Sequence, residues 1–225
     1  MGVVLAVDTA GPVIGVAAVE DSALVASWSE RVSRGAERAL HPAISRVLQG
    51  RRADAIAISI GPGAFTGLRV GVAAALGLAK AWGVPVLPTS SLAARAAMVS
   101  EPAKVLSLLD ARKGKVYAGL YDLKSGRPIA MNEEQDVEPT LAVPDGPGIA
   151  IGEGVVVVED LLTSLGWQVA EQYAASPVEA LAIWGEERWR AGEAVAAQDV
   201  RLRYLRPPDA KLPKIQGLLQ PRNGD

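Results

Sequence analysis

Val3–Val7 is an unbroken apolar run that stops at Asp8, and Val13–Val19 is a second that stops at Glu20. Apolar runs without alternation read as strands buried on both faces, and the short polar gap between these two reads as a tight turn. The arrangement returns 102 residues later: Val3 falls on Val105, Asp8 on Asp110, Ile14 on Val116, Ala17 on Gly119 and Glu20 on Asp122. An acidic residue closing a buried strand at the same place twice predicts an internal duplication. A third strand is expected after each hairpin, over Ala23–Val32 and Pro128–Asp136. Leu40, Ile44, Val47 and Leu48 then recur at helical spacing, with Pro42 near the first turn. Asp54–Ile60 reads as a buried strand, and Gly61 opens a loop into a second helix. Further on, Ile149–Gly154 reads as strand and turn with Val155–Val158 continuing it. Pro177–Ala191 reads as a helix whose Trp184 and Trp189 pack inward.

The order is βββαβα. Two copies of it, each with an Asp in its first turn, predict an α/β fold of actin-like (ASKHA, ribonuclease H-like) architecture, with the second lobe less regular. The expected division is an N-terminal lobe over residues 1–102, a C-terminal lobe over 103–206 and a basic tail over 207–225. Lobes of this kind face one another across a cleft in which the two Asp turns meet phosphates and a metal. Asp8, Thr9 and Asp110 therefore mark an expected vestigial nucleotide cleft.

The 225 residues carry 23 basic and 25 acidic side chains, no Cys and one His. That excludes disulfides, a thiolate nucleophile and a Cys-ligated zinc, and it leaves little for a His-based metal site. The mild acidity argues against broad non-specific nucleic-acid binding. Residues 55–94 hold only Arg69 and Lys80 as charges, but Gly61, Pro62, Gly63, Gly83, Pro85 and Pro88 break them into pieces shorter than the ~20 residues a bilayer needs. No basic n-region precedes the first apolar run, so no secretory signal is read there and a cytoplasmic location is expected.

Gly61-Pro-Gly-Ala-Phe-Thr-Gly-Leu-Arg69 sits where a phosphate loop would, between strand and helix. It lacks the Gly-Lys-Ser/Thr of a Walker loop, and its glycines are spaced G-x-G-x-x-x-G where the dinucleotide fingerprint needs G-x-G-x-x-G. The next ten residues, Val70–Ala79, carry no polar side chain on any face. A helix covering a sheet usually keeps one polar face, so this one should be covered on both sides, by the first helix or by another chain.

Asp8-Thr9 after the first strand, the GPGAFTGLRVG stretch from Gly61, Lys80–Ser91, Asp110-Ala-Arg-Lys-Gly-Lys-Val-Tyr117, Gly152-Glu-Gly154 and Arg203-Tyr-Leu-Arg206 together resemble the TsaB family, also called YeaZ. The resemblance implies a non-catalytic, actin-like partner of the related TsaD subunit. With TsaD and the ATPase TsaE, such a partner supports transfer of threonylcarbamoyl from threonylcarbamoyl-AMP to the adenosine 3′ of the anticodon in tRNAs reading codons that begin with A. The family's catalytic sister uses a His-x-x-x-His metal pair, which a chain with only His41 cannot supply. No catalytic residue, metal or cofactor is therefore expected. In the family the first two helices meet TsaD, and the same face self-associates. The resemblance thus places the partner contact on Phe65, Leu68, Arg69, Val72 and Leu76, and further on Leu40, Ile44 and Val47. It also implies a homodimer in isolation and contact with tRNA only through the complex.

The main alternative is an ATP-dependent small-molecule kinase or ATPase of the same fold, with Asp8 and Asp110 facing magnesium and phosphate. Against it, Asp110 is followed by Ala-Arg-Lys where close approach to phosphate calls for Gly and Thr. A peptidase would have to recruit His41 from a helix start.

Overall fold

The computed structural model describes residues 2–33 and 35–206. β1 (Val3–Asp8) and β2 (Val13–Glu20) form an antiparallel hairpin with Val3 opposite Glu20 and Asp8 opposite Gly15, and β3 (Ala23–Arg31) extends it. The chain passes through α1 (Ala36–Leu48) to β4 (Ala55–Ser59), which lies parallel to β1. It then passes through α2 (Phe65–Trp82) to β5 (Val86–Thr89), parallel to β4. Across this sheet the strand order is β3-β2-β1-β4-β5. After α3 (Ser91–Ala96) the plan repeats with the hairpin β6 (Lys104–Arg112) and β7 (Lys115–Asp122). Two short strands, β8 (Ile129–Ala130) and β9 (Gln135–Val137), follow on β7, and then comes α4 (Pro139–Ala142). β10 (Ile149–Ile151) lies parallel to β6. The chain continues through α5 (Glu159–Ser164) to β11 (Gln168–Val169), parallel to β10, and ends its regular structure in α6 (Val178–Arg190). The second sheet runs β11-β10-β6-β7-β8, the same plan as the first. This is the actin-like, duplicated α/β fold.

Three local differences from the sequence reading have physical causes. The third strand of the second copy is split, because the chain leaves β7 after β8 and Asn132 Oδ1, not a backbone carbonyl, accepts from the Leu120 amide. Val155–Val158 does not continue β10 but follows a 3-10 turn over Glu153–Val157. Gly152, at φ 101°, turns the chain away, and of the four valines Val155 and Val158 enter the core while Val156 and Val157 stay exposed. α1 begins a turn earlier than its apolar stripe, which leaves Pro42 in mid-helix. Pro42 is exposed, so water can serve the carbonyl left without an amide donor.

The first sheet is covered on one face by α1 and α2. Its other face is covered from far along the chain. Val178, Leu181 and Ala182 of α6 pack against Val4, Ala6, Ala17, Ala57 and Leu87, and Gly185 lies so close to Ala57 that a Cβ would come within 2.6 Å. Residues 200–206 then run from the first sheet to the second. The Arg203 amide donates to the Ile60 carbonyl at 2.8 Å, and Arg206 makes two 2.7 Å bonds to the Asp136 carboxylate and one of 2.9 Å to the Ala111 carbonyl. The basic character of this end is thus partly used in internal pairing. The expected tail, 207–225, lies outside the described residues. No helix among the described residues is long and apolar enough to cross a membrane.

Candidate interaction face and inter-sheet cleft

The loop from Gly61 is built to place the start of α2. Gly61 adopts φ 116°, a region open to Gly and strained for other residues. Its amide donates to Ser91 Oγ at 3.1 Å, and the Ala64 amide donates to the Ala10 carbonyl at 2.7 Å. Phe65 therefore opens the helix from a fixed position and is 41 % exposed. The Arg69 guanidinium lies 3.7 Å from the Phe65 ring centroid, and its Nε donates to Tyr204 Oη at 3.1 Å. The Tyr204 and Phe65 rings are 5.4 Å apart. Cation–π and ring contacts thus hold three large side chains in one exposed stack. Phe65, Arg69, Ala73 and Gly77 recur every fourth residue and are all exposed, so one ridge of α2 starts with the stack and ends in small residues.

The expected contact residues divide on burial. Phe65 and Arg69 are on the exposed ridge, with Leu76 half-buried beside it. Leu68, Val72, Leu40, Ile44 and Val47 are between 0 and 6 % exposed, and all but Leu68 belong to the cluster between the first sheet and α1–α2. Those five are core residues, which corrects their placement on the partner face: they support it from beneath. The apolar character of α2 is accounted for by the sheet below and α1 at its side, while the ridge lies open.

The expected nucleotide cleft is filled by the chain itself. Asp8 is fully buried, and neither carboxylate oxygen has a hydrogen-bond partner among the described residues. Arg95, from α3 and 2 % exposed, brings its Nη2 to 3.7 Å from Asp8 and its Nε to 3.3 Å from Glu153, which follows β10. A cation from one side chain thus stands beside Asp8, linking the two sheets. Gly11 leaves room for it, since a Cβ there would come within 2.6 Å of Arg95 and 2.8 Å of Glu153. Thr9 is spent on α2, donating from Oγ1 to the Gly67 carbonyl at 2.8 Å. Asp110 is not brought into this group. It is partly exposed, accepts from the Arg112 amide at 2.7 Å and pairs with the Arg112 side chain. Among the described residues no three His, Cys, Asp or Glu side chains are grouped to hold a metal.

A second polar cluster joins the sheets nearby. Glu134 accepts from Ser90 and Tyr121 and pairs with Arg203 at 3.4 Å. Burial first, and the Glu134 charge second, push the Tyr121 hydroxyl well above its ordinary pKa. Sequence reasoning missed Arg95, Glu134, Tyr121 and Tyr204 as site residues. Of these Tyr204 gave a signal through its place in Arg203-Tyr-Leu-Arg206 and Arg95 as the one charge in α3, while Glu134 and Tyr121 meet through long-range packing.

The family model described as TsaD: tRNA N6-adenosine threonylcarbamoyltransferase matches residues 27–180. A curated relative, the tRNA threonylcarbamoyladenosine biosynthesis protein TsaB of Bacillus subtilis, is 28 % identical over 95 % of this chain and 98 % of its own length. A solved structure of YeaZ from Pseudomonas aeruginosa superposes with TM-score 0.78 at 30 % identity, covering 88 % of this chain and 97 % of that one. The chain belongs to the TsaB/YeaZ family. Another solved structure, described as an uncharacterized protein similar to the peptidase YeaZ from Pseudomonas aeruginosa, matches with TM-score 0.77 at 29 % identity over 92 % of this chain. Four of the six TsaB segments singled out in the sequence fall at two places in the fold. GPGAFTGLR and Arg203-Tyr-Leu-Arg206 meet in the exposed stack and the strap beside it. Asp8-Thr9 and Gly152-Glu-Gly154 meet at the Arg95 junction.

Proposed function

We propose that this TsaB/YeaZ member is a non-catalytic subunit in threonylcarbamoyl transfer to tRNA, pairing with a TsaD-type sister in a complex that includes the TsaE ATPase. The observation that carries this reading is the exposed ridge of α2. Phe65, Arg69 and Tyr204 form a rigid aromatic–Arg anchor, and Ala73 and Gly77 behind it let a second backbone approach closely. Aromatic and Arg anchors of this kind dominate binding energy at protein interfaces. The Arg95 guanidinium beside Asp8 also speaks for a supporting subunit, because the carboxylate that would serve magnesium in a kinase already has a cation. The same ridge pairs two copies of the chain when the sister is absent, and the sister competes that homodimer away. tRNA is reached only through the complex.

The test is reconstituted transfer from the preformed adenylate to tRNA with TsaD and TsaE. Phe65→Ala, Arg69→Ala and Ala73→Glu change exposed positions, so each should keep the far-UV spectrum and melting temperature while weakening pairing by tenfold or more. The yield of modified tRNA should fall with the pairing. Val72→Glu puts a charge at a site 6 % exposed and should unfold the chain. Product formed at an equal rate with this protein omitted would overturn the reading.

A further inference from the structure

An open groove of about 260 Å³ lies between α4 and the 3-10 turn that leads into α5. Val156, Val157 and Pro139 give it an apolar lining, with Glu159 and Asp160 alongside. Val156 is 57 % exposed and Val157 39 %, and Leu141 of α4 is 74 % exposed. The core beneath does without them, since Val155, Val158 and Leu162 of the same stretch enter it. Glu159 and Asp160 are exposed and form no ion pair among the described residues. The strap over residues 200–206 arrives next to this groove. Arg206 is fastened to Asp136, and Asp136 precedes Pro139 by three residues, which puts their Cα atoms no more than about 11 Å apart. The sequence that follows includes Lys211-Leu-Pro-Lys-Ile215, in which each of two cations stands directly ahead of an apolar residue. From Arg206, a chain can carry Leu212 about 20 Å and Ile215 about 30 Å, enough to enter the groove.

We propose that residues 211–215 of this chain dock in the groove. Leu212 and Ile215 cover Val156 and Val157, and Lys211 and Lys214 face Glu159 and Asp160. Charge and tether both favour this occupant. The other exposed surface that the strap passes, the Phe65–Arg69–Tyr204 stack, carries a guanidinium that repels a cationic segment. A segment tied to the groove by a short linker meets it at an effective concentration in the millimolar range, which a second copy's tail in dilute solution does not reach. Docking lengthens the strap across the second sheet and spends the two lysines inside the molecule, away from phosphate.

The chain holds no Cys, so paired cysteines report contact without background. Two groove pairs are placed in the full chain, Val157→Cys with Ile215→Cys and Val156→Cys with Leu212→Cys. Thr66→Cys with Ile215→Cys is the control, Thr66 being exposed next to Phe65 on the other surface that the strap passes. In dilute protein with oxidised glutathione, at least one groove pair should close an intramolecular disulfide ten or more times faster than the control, read by non-reducing electrophoresis and mass. Adding Glu159→Gln and Asp160→Asn, both at exposed positions, should slow that pair about threefold, the modest effect of exposed ion pairs. An unchanged far-UV spectrum checks that each variant is folded. The inference is overturned if neither groove pair outruns the control, if neutralising the two carboxylates leaves the rate as it was, or if the disulfide forms only between chains, which would give the groove to a second copy's tail. Closure at the control rate, with the Ile215→Cys thiol shielded from alkylation only when tRNA is added, would overturn it in favour of a nucleic-acid contact.

Discussion

Arg95 carries its guanidinium into a position 2 % exposed and shares it between Asp8 and Glu153. Breaking such a pair from one side leaves a buried charge without a partner, which typically costs about 3–5 kcal/mol. Arg95→Met should therefore lower stability in urea by about that amount, whereas adding Asp8→Asn to it should recover much of the loss. Tyr121 sets a limit at the other end of the pH scale. Its pKa is raised in the folded state, so its contribution to stability is intact below the unfolded value of about 10 and is lost as pH rises beyond it. In an alkaline spectrophotometric titration one tyrosine should ionise only as the fold gives way, and Tyr121→Phe should remove that late step. Sequence reasoning singled out neither group as a site, although Arg95 stands as the one charge in α3. A charge sealed between two sheets and a phenol sealed against Glu134 follow from which surfaces meet, and residue spacing along the chain does not encode that.

α2 shows what the sequence does encode at the scale of an element. Its place and its apolar character follow from the run of residues alone, and the contact role of Phe65 and Arg69 came with the family resemblance. The division into supported and exposed positions does not, because an all-apolar helix has no polar face to mark the open side. The small residues make the same point by experiment. Gly71 faces the Thr9 side chain with no room for a methyl group, and Gly77 meets nothing among the described residues. Gly71→Ala should cost about 1–3 kcal/mol by overpacking. Gly77→Ala should raise stability by about 0.5–1 kcal/mol through helix propensity, while it weakens pairing if the ridge is a close-approach surface. Chemical denaturation and sedimentation of the two variants separate those effects. The valine run at 155–158 teaches the converse: β-branched composition favours a strand, and one glycine at φ 101° turns the run into a 3-10 bend.

At the scale of the whole molecule the duplication was readable, from Asp8 and Asp110 closing equivalent apolar runs, and both sheets carry the same strand order. The return of α6 to the first sheet was not readable, since its own pattern records an apolar face without naming the surface it covers. That return makes the first half dependent on the second. An excised 2–102 fragment should expose Val4, Ala6, Ala17, Ala57 and Leu87, bind a hydrophobic dye and aggregate, where the full chain should bind no dye and associate no further than a dimer. During synthesis the same dependence becomes a waiting time. The first sheet is complete in sequence at Thr89, but its cover ends at Arg190, about 100 residues later. At roughly 5–20 residues per second that is about 5–20 s in which a nascent chain carries a bare apolar sheet face. Slow translation between these positions should therefore raise the demand for chaperones, and no substitution in the finished fold would reveal it.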